Sequence, residues 1–236
     1  MVYMPKSNRQ FALCAATIAF LCGISTSFAA TKIGDVAGVI GSPTASGAGG
    51  DRTLEGGSDL FEGDVVKVTI GNAQIILEDG TKLVVGPDST LELKQYLKRG
   101  KRVEKIAIRT LHGTFRFISG KSAKKVYDIK TASATIGIRG TGFDFWDRKK
   151  TGVIVMLGAV QMRGFNGKLV SMTDNCDLGV AGDGEVKAEL LAGKAKSDTI
   201  KENLVFIADQ RRLQKAFHLP IRKCRKFLLA GVGKAP

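Results

Sequence analysis

Few side chains in this sequence of 236 residues have the types and spacing that enzyme chemistry requires. His112 and His218 are its two histidines, the natural near-neutral bases, and no serine lies in the strand-to-helix elbow of hydrolase nucleophiles. The acidic segments 174–177 and 183–185 do not follow the ligand spacing of a known calcium loop. Two histidines and the cysteines also make a poor zinc set. We therefore predict no enzyme activity, no metal site and no cofactor.

The charge pattern favours binding instead. The chain has 36 Lys and Arg against 22 Asp and Glu, a net charge of +14, and residues 94–150 hold 16 of the basic and 4 of the acidic side chains. A concentrated positive field favours an anionic partner or surface, although charge runs are more often the solvated faces of strands. The cations that we predict to bind anions are Lys98, Arg99, Lys101, Arg102, Lys124 and Lys125.

A glycine-rich segment lies in this basic region, at residues 131–146, with the sequence TASATIGIRGTGFDFW. Apolar residues alternate first with glycine and then with polar residues, which predicts a strand, a special backbone turn and a second strand. A phosphate-binding loop would need a helix directly after the glycines, and Phe-Asp-Phe-Trp favours β structure instead. The signature residues, in a structural or a binding role, are Gly137, Arg139, Gly140, Thr141 and Phe143.

Within this segment, Arg139 lies between Ile138 and Gly140, which leave room for a long side chain to fold against the backbone. We expect Arg139 to be structural, at least partly buried, and held by carbonyl groups or a carboxylate, because a guanidinium offers five hydrogen-bond donors. The alternative is a surface receptor for anions.

The first 30 residues have the three parts of a signal peptide. Lys6 and Arg9 give a positive start, residues 11–24 form an apolar run, and Ser27-Phe28-Ala29 is a small-x-small cleavage site. The run is shorter than the ~20 apolar residues that a spanning helix needs. An uncleaved anchor is one alternative, and a lipoprotein acylated at Cys22 is another, although a bulky residue precedes that cysteine. We expect cleavage and a periplasmic or secreted protein.

Cleavage would leave two cysteines, Cys176 and Cys224. An exported compartment is oxidising, so the pair predicts a disulfide that closes the C-terminal third of the chain. The alternative is two separate buried thiols, because sequence spacing cannot show that two side chains meet.

Short apolar runs with turn dipeptides between them recur about every ten residues. Arg99-Gly100-Lys101 predicts the turn of a hairpin whose second arm is Val103–Ile108, and Gly158-Ala159 predicts another turn. We predict an all-β fold, a meander of many short strands that forms a β-roll, a solenoid-like domain or a sandwich. Short helices are expected in the C-terminal part, with Asp198 and Asp209 as caps.

Five motifs occur in an order that resembles the FecR protein domain. They are Leu60-Phe61-Glu62-Gly63-Asp64-Val65-Val66, Asp79-Gly80-Thr81, Gly86-Pro87-Asp88-Ser89, Gly113-Thr114-Phe115-Arg116, and residues 131–143 with Gly-Ile-Arg-Gly-Thr. The resemblance covers roughly residues 60–163. It implies an exported, β-rich module of bacterial envelope proteins, as found in ferric-citrate signal transducers and in many other exported proteins.

The sequence departs from the family in two respects. Thr131-Ala132 replaces the commoner Thr-Pro, and we find no cytoplasmic anti-sigma segment and no transmembrane helix like those of the transducers. We therefore expect a stand-alone exported domain without direct control of a sigma factor. The resemblance divides the chain into a signal peptide (1–30), a strand with a glycine-rich loop (31–59), a FecR-like β domain (60–175) and a basic C-terminal extension (176–236).

The leading functional prediction is a non-enzymatic envelope protein that binds or relays signals through protein partners, for example by strand-edge pairing. The alternative is binding of anionic envelope polysaccharide, lipopolysaccharide or lipid headgroups through the basic middle third. Nucleic acid suits the charge but not the exported compartment, so no nucleic-acid partner is expected. The sequence leaves the oligomeric state open.

Overall fold

A computed structural model describes residues 30–165, 167–182 and 189–229, together with Met1. Residues 2–29 of the predicted signal peptide lie outside the described residues. The described strands are β1 (Lys32–Ile40), β2 (Thr44–Ser46), β3 (Arg52–Thr53), β4 (Asp59–Phe61), β5 (Val65–Val68), β6 (Asn72–Leu77), β7 (Lys82–Val85), β8 (Ser89–Arg99), β9 (Arg102–Ile118), β10 (Tyr127–Lys130), β11 (Ala134–Asp147), β12 (Lys150–Gly164), β13 (Leu169–Met172), β14 (Leu178–Gly182) and β15 (Glu189–Leu190).

The helices follow the strands in the chain. They are α1 (Gly193–Asn203), α2 (Val205–Ala208) and α3 (Arg222–Leu229), with 3-10 turns at Lys124–Val126 and Lys215–Phe217. No helix in the described part of the chain is long and apolar enough to span a bilayer.

All described strands belong to one hydrogen-bonded sheet. Its main path runs β15-β14-β12-β11-β10-β9-β7-β6-β1-β4, while β8, β5, β2 and β3 continue from β9, and β13 pairs with β12. Apolar residues from nearly all of these strands meet in a single core. The predicted all-β class is therefore confirmed, and two smaller apolar clusters lie beside this core.

The two predicted turns at Gly140 and Gly158 are wrong, because both glycines lie inside long strands. Their φ angles are +76° and +79°, and the register between β11 and β12 shifts beside them, with Thr141 opposite Gly158. This is a β-bulge, which bends a ladder without ending it and which glycine accepts because it has no Cβ. The bulge allows the first part of β11 to pair with β10 and the second part to pair with β9.

Stacked aromatic rings form the centre of the core between β9 and β11. Phe143 lies opposite Phe117 and Phe145 lies opposite Phe115, with ring centroids 5.2 and 5.0 Å apart. All four rings are almost fully buried. Burial of each phenylalanine side chain stabilises the fold by roughly 1.5–3 kcal/mol, so Phe143 of the predicted signature has a packing role.

The opposite side of β9 and β11 is covered by the C-terminal helices, and we call it the covered face. Trp146, Ile154 and Met156 pack there against Ile200 of α1 and Ile207 of α2, together with other apolar residues. Short helices in the C-terminal part are thus confirmed, although their predicted caps are wrong. Helix α1 begins at Gly193, six residues before the predicted start, and Asp209 follows the end of α2.

Candidate binding cleft

A cleft of about 780 Å³ opens beside the hairpin that joins β8 to β9. This tip cleft is lined by residues 76–80 of the β6–β7 turn, by Tyr96 and the charged residues of the hairpin, and by residues 121–123. The hairpin and its turn at Gly100 occur where the sequence predicted them. Gly100 has a φ of +60°, a backbone conformation that glycine adopts without strain and that closes the turn. The volume lies within the range of ordinary ligand sites.

The tip cleft gathers four of the six cations that were predicted to bind anions, namely Lys98, Arg99, Lys101 and Arg102. Lys98 Nζ lies 2.7 Å from Glu78, and Arg99 Nε lies 3.5 Å from Glu104. Among the described residues, neither Lys101 nor Arg102 has a carboxylate within 4 Å. Exposed cations without a fixed counter-charge remain available to an anion from solution.

Sequence reasoning did not single out a fifth cation of the cleft, and two of the six cations predicted to bind anions lie outside the cleft lining. Lys121 lines the cleft through the loop after β9. Lys124 instead donates to Ser119 Oγ at 2.8 Å and to the Gly120 carbonyl at 3.2 Å, and Lys125 does not line the cleft. The missing information was the contact between the loop and the hairpin, which lie about twenty residues apart in the chain.

Tyr96 contributes a buried aromatic ring to the wall of the cleft. Its hydroxyl has no hydrogen-bond partner of normal geometry among the described residues, and the backbone of Asp79 interacts with it only weakly. Burial raises the pKa of Tyr96, so the group stays a neutral donor. A buried donor without a partner usually costs about 1–3 kcal/mol, and an acceptor atom of a ligand would relieve that cost.

A second tyrosine holds the backbone that borders the cleft. Tyr127 Oη donates to Asp79 Oδ2 at 2.8 Å, lies 3.1 Å from Thr81 Oγ1, and accepts from the Gly120 amide at 3.0 Å. Burial raises the pKa of Tyr127 to about 12. The Asp-Gly-Thr motif is therefore tied to β10, which keeps the cleft wall in place.

The glycine-rich signature does not form a binding site at the cleft. Arg139 is exposed, so the prediction that it is buried is wrong. It lies opposite Ala159 directly before the bulge, and its neighbour Gly140 faces Lys124, whose Cε would lie 3.7 Å from an added Cβ. Gly137 is an exposed strand residue, and the backbone of Thr141 pairs with Gly158.

Among the described residues, the fully buried arginine is Arg116 in β9. Its Nε and Nη2 donate to the two oxygens of Asp144 at 2.6 and 2.8 Å, and both side chains are 0% exposed. Its Nη1 donates to Gln210 Oε1 at 2.7 Å and to the Phe217 carbonyl at 3.1 Å. Burial raises the pKa of Asp144, and the guanidinium opposes that rise.

A sequence signal for this pair exists. Arg116 stands between Phe115 and Phe117, and Asp144 stands between Phe143 and Phe145. In each strand the lone charge lies on the face opposite the rings. Two opposite charges, each between two phenylalanines in its own strand, predict a cross-strand ion pair on the side of the strands that faces away from the rings.

The two cysteines lie together beneath the C-terminal helices. Both are free and buried, so the predicted disulfide is absent from this structure. The two thiols nevertheless lie close enough to interact, which lowers the pKa of Cys176 and raises that of Cys224. The fold thus brings the predicted partners together, in the reduced state.

The described residues offer binding groups more readily than catalytic ones. His112 is partly exposed, with Nε2 3.2 Å from Asp88, and His218 Nε2 lies 2.9 Å from the Leu213 carbonyl. No group of three His, Cys, Asp or Glu side chains in the described ranges could hold a metal ion. The arrangement can attract, orient and hold an anionic group.

Comparisons with known proteins found structures that are similar to part of this chain. Two crystal structures of a candidate anti-sigma factor from Parabacteroides distasonis ATCC 8503 are similar to this chain, with 16% and 15% sequence identity and TM-scores of 0.46 and 0.45. The similarity covers 57% and 58% of this chain and 62% and 63% of those chains, so this chain spans less than two thirds of their length. A search of curated proteins found no match.

The family model described as FecR protein matches residues 64–161. These residues run from the start of β5 to near the end of β12, and they include the tip cleft hairpin, the aromatic stack and the Arg116–Asp144 pair. The expectation from the sequence motifs is confirmed, because residues 64–161 of this chain match the FecR family model, which covers less than half of the chain.

Proposed function

We propose that this chain is an exported, non-enzymatic FecR-type module that binds or relays signals through a protein partner in the bacterial envelope. The contact surface in this proposal is the β8–β9 hairpin with the tip cleft, and the partner presents an acidic surface. Complementary charge would speed the encounter and orient the two proteins.

The observation that carries this proposal is that the C-terminal helices cover one face of the sheet and leave the β8–β9 hairpin open to solvent. The covered face packs against helices of the same chain, including the bonds from Arg116 to Gln210 and Phe217. The hairpin side is open, and the Arg99 side chain is 84% exposed. A partner that docks on the hairpin side displaces no part of the described fold.

Site-specific photo-crosslinking in intact cells tests the proposal. A crosslinker at Lys101 should give one reproducible protein adduct, and a crosslinker at Lys67, exposed on β5, is the control. The adduct should disappear in a Lys98→Glu, Arg102→Glu variant and persist in a Lys149→Glu, Lys150→Glu variant with the same change in charge. Equal adducts from positions 67 and 101 would contradict the proposed surface.

A second candidate function is binding of an acidic envelope sugar in the tip cleft. Lys101, Arg102 and Lys121 would meet the carboxylate or phosphate, while the partly exposed Glu78 carboxylate offers an acceptor for a sugar hydroxyl. The unpartnered hydroxyl of Tyr96 would donate to a sugar oxygen. The combination of cations with nearby carboxylates favours a sugar that carries both an anionic group and hydroxyls over a simple anion.

Calorimetric titration separates the two candidates. An oligogalacturonate should bind the purified chain at low salt, a neutral oligosaccharide of equal length should not, and high salt should abolish the binding. Tyr96→Phe should weaken the affinity roughly two- to tenfold, the effect of one hydrogen bond. If the oligogalacturonate does not bind while the crosslinked adduct at Lys101 persists, the protein partner is the correct candidate.

A further inference from the structure

A second groove lies on the outer side of β8, β9 and β10, and it forms around a small side chain. Ala107 is opposite Gln95 of β8 on one side and Asp128 of β10 on the other. Its neighbours on the same face are long, so the short methyl group leaves a depression of about 510 Å³ between them. We call this depression the outer groove.

The outer groove has a strong positive charge. Its lining includes four exposed cations, Lys94, Lys105, Arg109 and Lys130, and one carboxylate, Asp128. Asp128 lies 3.7 Å from Lys130. Within the described residues, the other three cations have no carboxylate within 4 Å, and Glu92 lies opposite Arg109 in the register.

The groove differs from the tip cleft because large apolar side chains are exposed beside its cations. Leu111 is 47% exposed and Phe165 is 64% exposed, and both line the groove. Exposed apolar surface is unfavourable in water, so these two side chains would gain from contact with an apolar partner. An apolar surface rimmed by cations is complementary to a ligand that joins an anionic group to an apolar one.

The floor of the groove is held by a buried network. Thr110 Oγ1 donates to Asp147 Oδ2 at 2.7 Å, and the Ala132 amide donates to the same carboxylate at 3.0 Å. Thr110, Thr131 and Ala132 all line the groove. The four cations project from the paired strands β8, β9 and β10. Their backbone is already fixed, which reduces the ordering that a ligand would require.

We propose that the outer groove binds the headgroup and the adjoining apolar part of an anionic phospholipid. The phosphate lies over Ala107 among Lys94, Lys105 and Arg109, and Leu111 with Phe165 contacts the start of the acyl region. A plain polyanion would use the cations but not the two apolar side chains. The proposal concerns a site separate from the tip cleft and does not depend on the proposed function.

Vesicle flotation of the purified chain tests this site. Vesicles of phosphatidylglycerol and phosphatidylcholine in equal parts should bind the chain, and vesicles of phosphatidylcholine alone should not. Lys94→Gln with Lys105→Gln should weaken binding about 25-fold, because each cation near an anionic surface contributes about a fivefold change. Lys149→Gln with Lys150→Gln is the matched control for charge and should bind more tightly than the groove variant.

A second variant pair tests the apolar contact. Leu111→Ser with Phe165→Ser should lose vesicle binding but keep its affinity for soluble glycerol 3-phosphate, and Ile70→Ser with Leu190→Ser, at two other exposed sites, should bind vesicles normally. Thermal melting should be unchanged in all four variants, since the side chains are exposed. The proposal fails if pure phosphatidylcholine binds equally well, if the Lys149 and Lys150 control loses as much affinity as the groove variant, or if the apolar variant binds vesicles normally.

Discussion

The covered face and the hairpin side, which carries the β8–β9 hairpin and the tip cleft, use the same residue types in opposite ways. On the covered face, Arg116 is fully buried and its donors are satisfied by Asp144, Gln210 and Phe217. On the hairpin side the cations are exposed, and Lys101 and Arg102 have no carboxylate within 4 Å in the part of the chain that the structure describes. A buried charge without partners is very costly, whereas an exposed one is nearly free. Arg116 on the covered face therefore contributes to the stability of the fold, whereas the cations on the hairpin side are available to bind an anionic partner.

The largest expected effect tests this contrast directly. Arg116→Met leaves the Asp144 carboxylate buried without its counter-charge, so the free energy of unfolding should fall by about 3–5 kcal/mol. Arg139→Met, an exposed arginine in the neighbouring strand, should change it by about 0.5 kcal/mol or less. Urea denaturation of both variants measures the difference.

A double variant distinguishes loss of the ion pair from simple loss of packing. Arg116→Met with Asp144→Leu removes both charges, and it should recover much of the stability lost in the single variant. If the double variant is less stable than Arg116→Met alone, the uncompensated carboxylate is not the cause of the loss.

The cysteine pair lies in the apolar cluster beneath the C-terminal helices, so its oxidation state should change the stability of the covered face. Oxidation should join Cys176 to Cys224, close a loop of about 50 residues and raise the free energy of unfolding by about 3–4 kcal/mol. Denaturation of oxidised and reduced protein, with thiols counted by mass spectrometry, measures the gain. In Cys224→Ala the two redox conditions should give equal stability, and two free thiols after full oxidation of the parent would refute the pairing.

Two tyrosines on the hairpin side provide a matched comparison of a satisfied and an unsatisfied hydroxyl. Tyr127→Phe removes the group that bonds Asp79 and Gly120, and it should lower the free energy of unfolding by about 1–3 kcal/mol. Tyr96→Phe removes a hydroxyl without a good partner, so the stability should be unchanged or slightly higher. A loss for Tyr96→Phe as large as that for Tyr127→Phe would show that the Tyr96 hydroxyl is satisfied.

The smallest expected effect concerns Asp147, a buried carboxylate that has hydroxyl and amide partners where Asp144 has an arginine. Burial raises the pKa of Asp147 above its ordinary 3.8, so the folded state binds the proton more tightly than the unfolded chain. The protonated Asp147 side chain therefore stabilises the folded state fully below pH 3.8. This contribution to the free energy of unfolding is lost as pH rises through the pKa of Asp147 in the folded state.

The measurement is the stability difference between the parent and Asp147→Asn across acidic pH. That difference should shift in favour of the variant as pH rises, by about 1.4 kcal/mol for each pH unit that separates the folded and unfolded pKa values of Asp147. A difference that stays constant from acidic to neutral pH would mean that burial does not raise this pKa.

The sequence alone predicted the features that depend on local pattern. Period-two alternation and regular turn dipeptides are typical of strands, and they indicated the all-β class and the β8–β9 hairpin. The order of short motifs indicated the FecR domain. These features depend on neighbouring residues, so a linear sequence displays them.

The tertiary structure decided what depends on residues far apart in the chain. Gly140 and Gly158 look like turns in sequence, yet each keeps its strand because continuous neighbouring strands pair on both sides of the bulge. Arg139 and Arg116 both lie in strands, and their burial differs because the C-terminal helices cover the face that Arg116 occupies and leave Arg139 exposed. Burial is set by what packs against a strand, and here that partner lies about a hundred residues further along the chain.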